Sequence, residues 1–223
     1  LPTPPRIYTV HVPADVATAS LAAEAITRFR TASKRTTDVT LTGHFLAAGR
    51  TGRRHLLPLT AGRHTAGGPL RLLDLSRMRA VNGAAYAARW GLWQHVVAGT
   101  RPAKPFWAFE DRHRDNPSHY PAWMAARDYG SQPRIAAMRA NNTSRRRRML
   151  LPTTHLEAFQ TNLATYTLLG EATAITAHGL VINGQFLTTA SERLADLQTH
   201  LEQASRALAS LSGDCQLAAV TCP

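Results

Sequence analysis

Glu110, Asp111, His113, Asp115 and His119 fall within ten residues of one another. Carboxylates hold hard divalent cations, and an imidazole beside them can ligate the metal or take a proton from a bound water. Asp111, His113, Asp115 and His119 are therefore the catalytic candidates of a metal-dependent nuclease or phosphoesterase, with Mg²⁺ as its cofactor. Their spacing argues the other way. His113 and His119 are six apart in a segment broken by Pro117 and Pro121, which fits neither an HExxH helix nor an i,i+4 pair. Arg112 and Arg114 interleave with the acids and offer them plain ion pairs. The expectation is a polar structural loop, no resident metal or other cofactor, and a binding module rather than an enzyme.

The second chemical feature is the run Arg145, Arg146, Arg147 and Arg148. Four consecutive guanidiniums repel one another and cannot all be buried, so they face solvent or an anion. On nucleic acid they would contact phosphates, giving affinity without sequence readout, and the preceding Asn142, Thr143 and Ser144 would add neutral contacts. Arg50, Arg53, Arg54, Arg77 and Arg79 complete the expected nucleic-acid-binding set. The competing reading of the run is a solvated hinge.

Charge across the chain points the same way. The 223 residues carry 26 Lys and Arg against 14 Asp and Glu, a net charge of +12. Residues 1–148 hold 24 of the cations and 8 of the acids, whereas residues 149–223 hold 2 cations and 6 acids. Arg in place of Lys, together with abundant Ala, is what a GC-rich coding sequence produces, but codon bias does not explain an excess of cations in one half only. The sign change after residue 148 suggests a basic unit, 1–148, and an acidic unit, 149–223.

Other motifs are look-alikes. His113–Arg114–Asp115 followed by Asp128–Tyr129–Gly130 echoes kinase signatures, but no Gly-rich loop precedes it and neither Lys34 nor Lys104 is placed as a strand lysine. The glycines of GRTGRR at 49–54 lack the GKS or GKT ending of a phosphate loop. Cys215 and Cys222 are the only cysteines and read as free thiols, with a small terminal disulfide as the alternative. Sequons at Asn141 and Asn142 would matter only in a secreted chain.

The elements that must position these groups follow from periodicity. Residues 6–12 alternate as a strand, and Leu21, Ala25 and Phe29 recur at helical spacing between 15 and 33. Strands are expected at 38–47, 55–59 and 69–75, then a long helix over 76–98 whose Tyr86, Trp90 and Trp93 stripe reads as core. Residues 104–123 read as an ordered loop on short helical turns, with two short helices at 121–129 and 133–142 beyond it. A helix over 154–178 leads to a hairpin turning on Asn183–Gly184, and a last helix carries Leu194, Leu197, Leu201, Ala204, Leu208 and Leu211 in steps of three and four. The first helix, three strands and second helix resemble double-stranded-RNA-binding domains in order alone. The lysine cluster of those domains is replaced by Ser76–Arg77–Met78–Arg79, and no family is assigned.

The fold class expected is α+β: a small mixed N-terminal unit, helical from about residue 76, followed by a mainly helical C-terminal unit with one hairpin. The function expected is nucleic-acid binding through phosphates, with self-association or partner docking through Leu194, Leu197, Leu201, Leu208 and Leu211. A structural subunit of a virion or other nucleoprotein assembly is the remaining alternative. With no apolar run near the roughly 18 residues of a membrane span, a cytoplasmic protein with no membrane partner is expected.

Overall fold

The computed structural model describes residues 5–35, 38–49, 52–57, 64–144 and 149–222. In chain order the elements are β1 (Arg6–Val12), α1 (Thr18–Ser33), β2 (Thr40–Leu41), β3 (Phe45–Leu46), β4 (His64–Thr65), β5 (Gly67–Pro69), α2 (Leu75–Val96) and α3 (Phe106–Asp115). They continue with α4 (Ala122–Ser131), α5 (Pro133–Thr143), α6 (Leu156–Phe159), α7 (Leu163–Thr176), β6 (Leu180–Ile182), β7 (Gln185–Leu187), α8 (Leu194–Ala209) and β8 (Gln216–Cys222). The fold is α+β. No described helix is long and apolar enough to cross a membrane.

Two compact units emerge: residues 1–82, 171–190 and 198–223 form the first, and 83–170 with 191–197 form the second. The charge break at residue 148 is not their boundary. Each unit carries 13 cations and 7 acids, because segments from both sides of the break fold together. Nor does the helical unit follow the mixed one: it is inserted within it, and the Asn183–Gly184 hairpin belongs to the sheet.

The first unit is built on a sheet ordered β2-β8-β1-β6-β7, with β5 pairing β8 beside β2. The two ends of the described chain meet at its centre. β1 and β8 run antiparallel in register from Arg6↔Cys222 to Val12↔Gln216. β1 pairs β6 in parallel, and β6 turns into β7 through Asn183 and Gly184, both at positive φ (49° and 75°), as a two-residue hairpin requires. Strand alternation sends Tyr8, Val10, Val12, Ala218 and Val220 to one face, where they pack with Leu21, Ala25 and Phe29 of α1. Leu217, Ala219, Leu180 and Ile182 face the other way, onto Ala204 and Leu208 of α8 and Ile175 of α7.

Several expectations fail here for physical reasons. The strand expected over 38–47 shrinks to β2 and β3. The one expected over 55–59 begins as a one-turn 3-10 helix at Arg53–His55, its far end lying outside the described residues; that over 69–75 gives way to a second such turn after β5. The double-stranded-RNA-binding order therefore does not become that topology, since β2 and β5 pair with β8 and not with each other. β8 itself carries no alternation signal, because a strand buried on both faces reads as a short apolar run. Its length also rules out the terminal disulfide. Cys215 immediately precedes a seven-residue strand that Cys222 ends, and at roughly 3.3 Å per residue they lie far beyond the roughly 4.4–6.8 Å between Cα atoms that a bridge allows.

The second unit is helical and held by aromatic rings. Trp93 stacks on Phe159 (5.2 Å, 8°), Phe159 meets Tyr166 at 4.5 Å, and Tyr166 meets Tyr86 at 4.8 Å, so the aromatic stripe of α2 is core. Gly170 lets Tyr86 in: a Cβ there would stand 2.4 Å from the ring. The helix expected over 154–178 breaks between α6 and α7. The break lets Gln160 turn its side-chain amide to Ala103, accepting from its N–H and donating to its carbonyl, both at 2.8 Å. Gln132 does the same to Lys104 (2.7 and 3.0 Å).

Candidate nucleic-acid interface

A third amide clamp defines the site. Asn142, in the last turn of α5, accepts from Leu151 N–H at 2.8 Å and donates to Leu151 carbonyl oxygen at 2.9 Å. Leu151 is fully buried, as are Ile135 and Met138 on the inner side of α5. Residues 143–150 are thereby tied at both ends, and the arginine run 145–148 lies between the ties, outside the described residues. The clamp commits the Asn142 side chain and Asn141 is buried, so neither sequon presents a free amide.

In the same unit a cavity of about 260 Å³ is lined by Phe106 and Trp107 of α3, Tyr129 of α4, Arg139 of α5, Glu157 of α6 and Glu192. Phe106 meets Tyr129 edge-on at 5.1 Å, and Tyr129 donates its hydroxyl to Thr153 carbonyl oxygen at 3.0 Å. Burial pushes the Tyr129 phenol up, so it stays protonated as that donor. Glu157 Oε2 accepts from Trp107 Nε1 and from the N–H of Leu194, both at 3.0 Å. The second of these is an orphan donor at the start of α8, where a carboxylate is favoured. Arg193 lies 4.7 Å from the Trp107 ring centre and pairs with Asp111 at 2.6 Å, holding the indole in place. The guanidinium of Arg139 is exposed, 5.9 Å from the Tyr129 ring centre.

The 110–119 candidates do not converge. Residues 106–115 are helix α3, not a loop, so Asp111 and His113 project from opposite sides of it. Asp111 is engaged by Arg114 (2.8 Å) and Arg193. His113 Nδ1 faces Tyr120 carbonyl oxygen at 2.8 Å, and His119 Nδ1 faces Asn116 Oδ1 at 3.0 Å. Asp115 is exposed at the helix end. Among the described residues no cluster of His, Cys, Asp and Glu could hold a metal ion.

Of the other expected phosphate ligands, Arg50 lies outside the described residues, as does the side chain of Arg53. Arg54 is exposed and donates to His55 Nε2 at 3.1 Å. Arg77 and Arg79 are exposed in the first turns of α2, below the Asp74 cap that accepts from Arg77 N–H at 3.0 Å. Two positions apart on a helix, they do not share a face.

The leucine seam is a correction. Leu201 and Leu208 are buried within the chain and Leu211 packs on the same sheet cluster as Ala204, while Leu194 and Leu197 are half-buried. A three-and-four repeat covers a sheet as well as it covers a second helix, and here Ala204, Leu208 and Leu211 cover the sheet.

The cavity residues were not legible beforehand. Glu157 and Glu192 come together from 35 positions apart, and nothing in local spacing marks them. The only signal was the density of aromatics after residue 104. No family model matches the chain, and no curated protein or solved structure matches it.

Proposed function

We propose that this protein binds nucleic acid through its phosphates, chiefly with the arginine run 145–148. The observation that carries this reading is the Asn142–Leu151 clamp. Asn142 and Leu151, on either side of the run, are held together by two hydrogen bonds, and Leu151 is buried. Fixing the residues on both sides lowers the ordering cost when the cations meet a row of anions. Each guanidinium can offer a phosphate two parallel N–H donors. The ion pairs that occupy Asp111 speak against the nuclease alternative, and the burial of the leucine seam speaks against self-association through it.

Salt titration of binding to a generic duplex and to a single strand tests the reading. Binding is expected to weaken with a log–log slope of roughly −0.9 per phosphate neutralised on duplex and −0.7 on single strand. Serine at 145–148 should shrink that slope by about 3.6 on duplex if each arginine meets one phosphate. Absence of binding at low salt would overturn the proposal.

A further inference from the structure

The cavity beside Tyr129 lies wholly within the helical unit, and its charge runs against that of the unit around it. The unit carries 13 cations and 7 acids, yet among the described residues the cavity wall sets Glu157 and Glu192 against Arg139. Arg193, whose guanidinium lies over Trp107, is already paired with Asp111. An anion inside would therefore meet two carboxylates for one guanidinium, and a cation is the ligand the wall favours. Phe106, Trp107 and Tyr129 add ring faces, whose negative quadrupoles also attract a cation.

The polar groups narrow the ligand further. Half-buried Glu157 is oriented by the two hydrogen bonds to its Oε2, and its Oε1 has no protein donor among the described residues. A carboxylate only accepts, so that oxygen calls for an N–H donor on the ligand. Arg139 has a place of its own: it lies against Gly130 in the last turn of α4, where a Cβ would stand 2.5 Å from its Nη1, and a helix C-terminus favours a cation. A bare metal ion does not fit, since no cluster among the described residues could hold one. The volume of about 260 Å³ is below the roughly 300–1,000 Å³ of sites for drug-sized ligands, which sets the scale at a single ring with a short arm.

We propose that this cavity binds a small organic ammonium ion, a primary amine carried on one ring. Glu157 and Glu192 accept from the ammonium, and Phe106, Trp107 and Tyr129 take up the ring. The inference goes beyond the phosphate-binding reading and does not rest on it. The two ligands are of opposite charge, and each site stands if the other fails.

The test uses the full chain and three probes of one shape, phenethylamine, 2-phenylethanol and 3-phenylpropionate, read by calorimetry and by tryptophan fluorescence. The amine should bind about tenfold tighter than the alcohol, because charge-assisted hydrogen bonds replace neutral ones, and the acid should bind weakest. Glu192→Gln, an exposed change that leaves the helices intact, should bring amine and alcohol closer together, and Glu157→Gln should do so more strongly. Arg139→Gln should tighten the amine by about threefold, since a like charge leaves the rim. Trp107→Phe should remove the fluorescence change while calorimetry still records the amine. Equal binding of amine and alcohol overturns the ammonium assignment. Tightest binding of the acid overturns its sign and makes Arg139 the recognising group. Failure of all three probes overturns the site.

Discussion

The two units satisfy their backbones in different ways. In the sheet unit, extended segments bond to one another: β8 alone pairs with β1, β2 and β5, so no single side chain carries the ladder. In the helical unit, the extended stretches among the described residues have no neighbouring strand. Ala103, Lys104 and Leu151 are bonded instead by the amides of Gln160, Gln132 and Asn142, each acting as a strand one residue long. Backbone order is thus distributed in the first unit and concentrated on three side chains in the second. In the helical unit a cavity opens between helices held by rings and amides; in the sheet unit the faces pack on Tyr8, Phe29 and aliphatic side chains, and a pocket lies beside the β6–β7 hairpin and α8.

Substitutions can break this contrast. The largest effect is expected at Gln160, whose Oε1 also accepts from Arg134 at 2.9 Å. Gln160→Ala should cost about 3 kcal/mol in urea unfolding, since it strands both backbone groups of Ala103 and removes one acceptor of a guanidinium that keeps its bonds to Thr100. A loss below about 1 kcal/mol would show that the clamp is not what holds that segment.

Acid should weaken both units next. Burial beside Tyr166, whose hydroxyl lies 2.9 Å from its Nδ1, and the charge of Arg89 hold His155 down to about 4. Its folded value lies below the unfolded one near 6.5, so the unfolded state takes up the proton first. The stabilisation is complete above pH 6.5 and is lost as pH falls toward 4, on the order of 3 kcal/mol in all. Burial lowers His11 and His200 of the sheet unit as well, so they add in the same direction. Unfolding midpoints measured from pH 7 to 4 should fall, and His155→Phe should flatten the curve.

The smallest effect is expected in the sheet. Thr221 on β8 has a buried hydroxyl with no partner among the described residues. Thr221→Val keeps the shape and the ladder while removing that unpaired group, so stability should change by less than about 1 kcal/mol, toward greater stability. A marked loss on thermal unfolding would show that side chains matter in the sheet as they do in the helical unit.

Helices declared themselves in the sequence where one face is apolar, as at α1, α2, α4 and α5, and so did the Asn183–Gly184 hairpin, whose turn chemistry is local. β8 hid because its own residues, Ala218 and Ala219 among them, are buried on both faces. The leucines of α8 showed their periodicity but not their partner.

What the sequence determined by itself is therefore local: helical stripes, the hairpin turn, and an excess of cations culminating in four adjacent arginines. Short-range sterics, turn chemistry and charge count do not depend on the rest of the chain. Tertiary structure decided which segments share a unit, that the charge halves dissolve into units of equal charge, that the acids and histidines of 110–119 point apart, and that Arg139, Glu157 and Glu192 surround one cavity. These are relations between residues tens of positions apart, fixed only when strand pairing and ring packing bring their elements together.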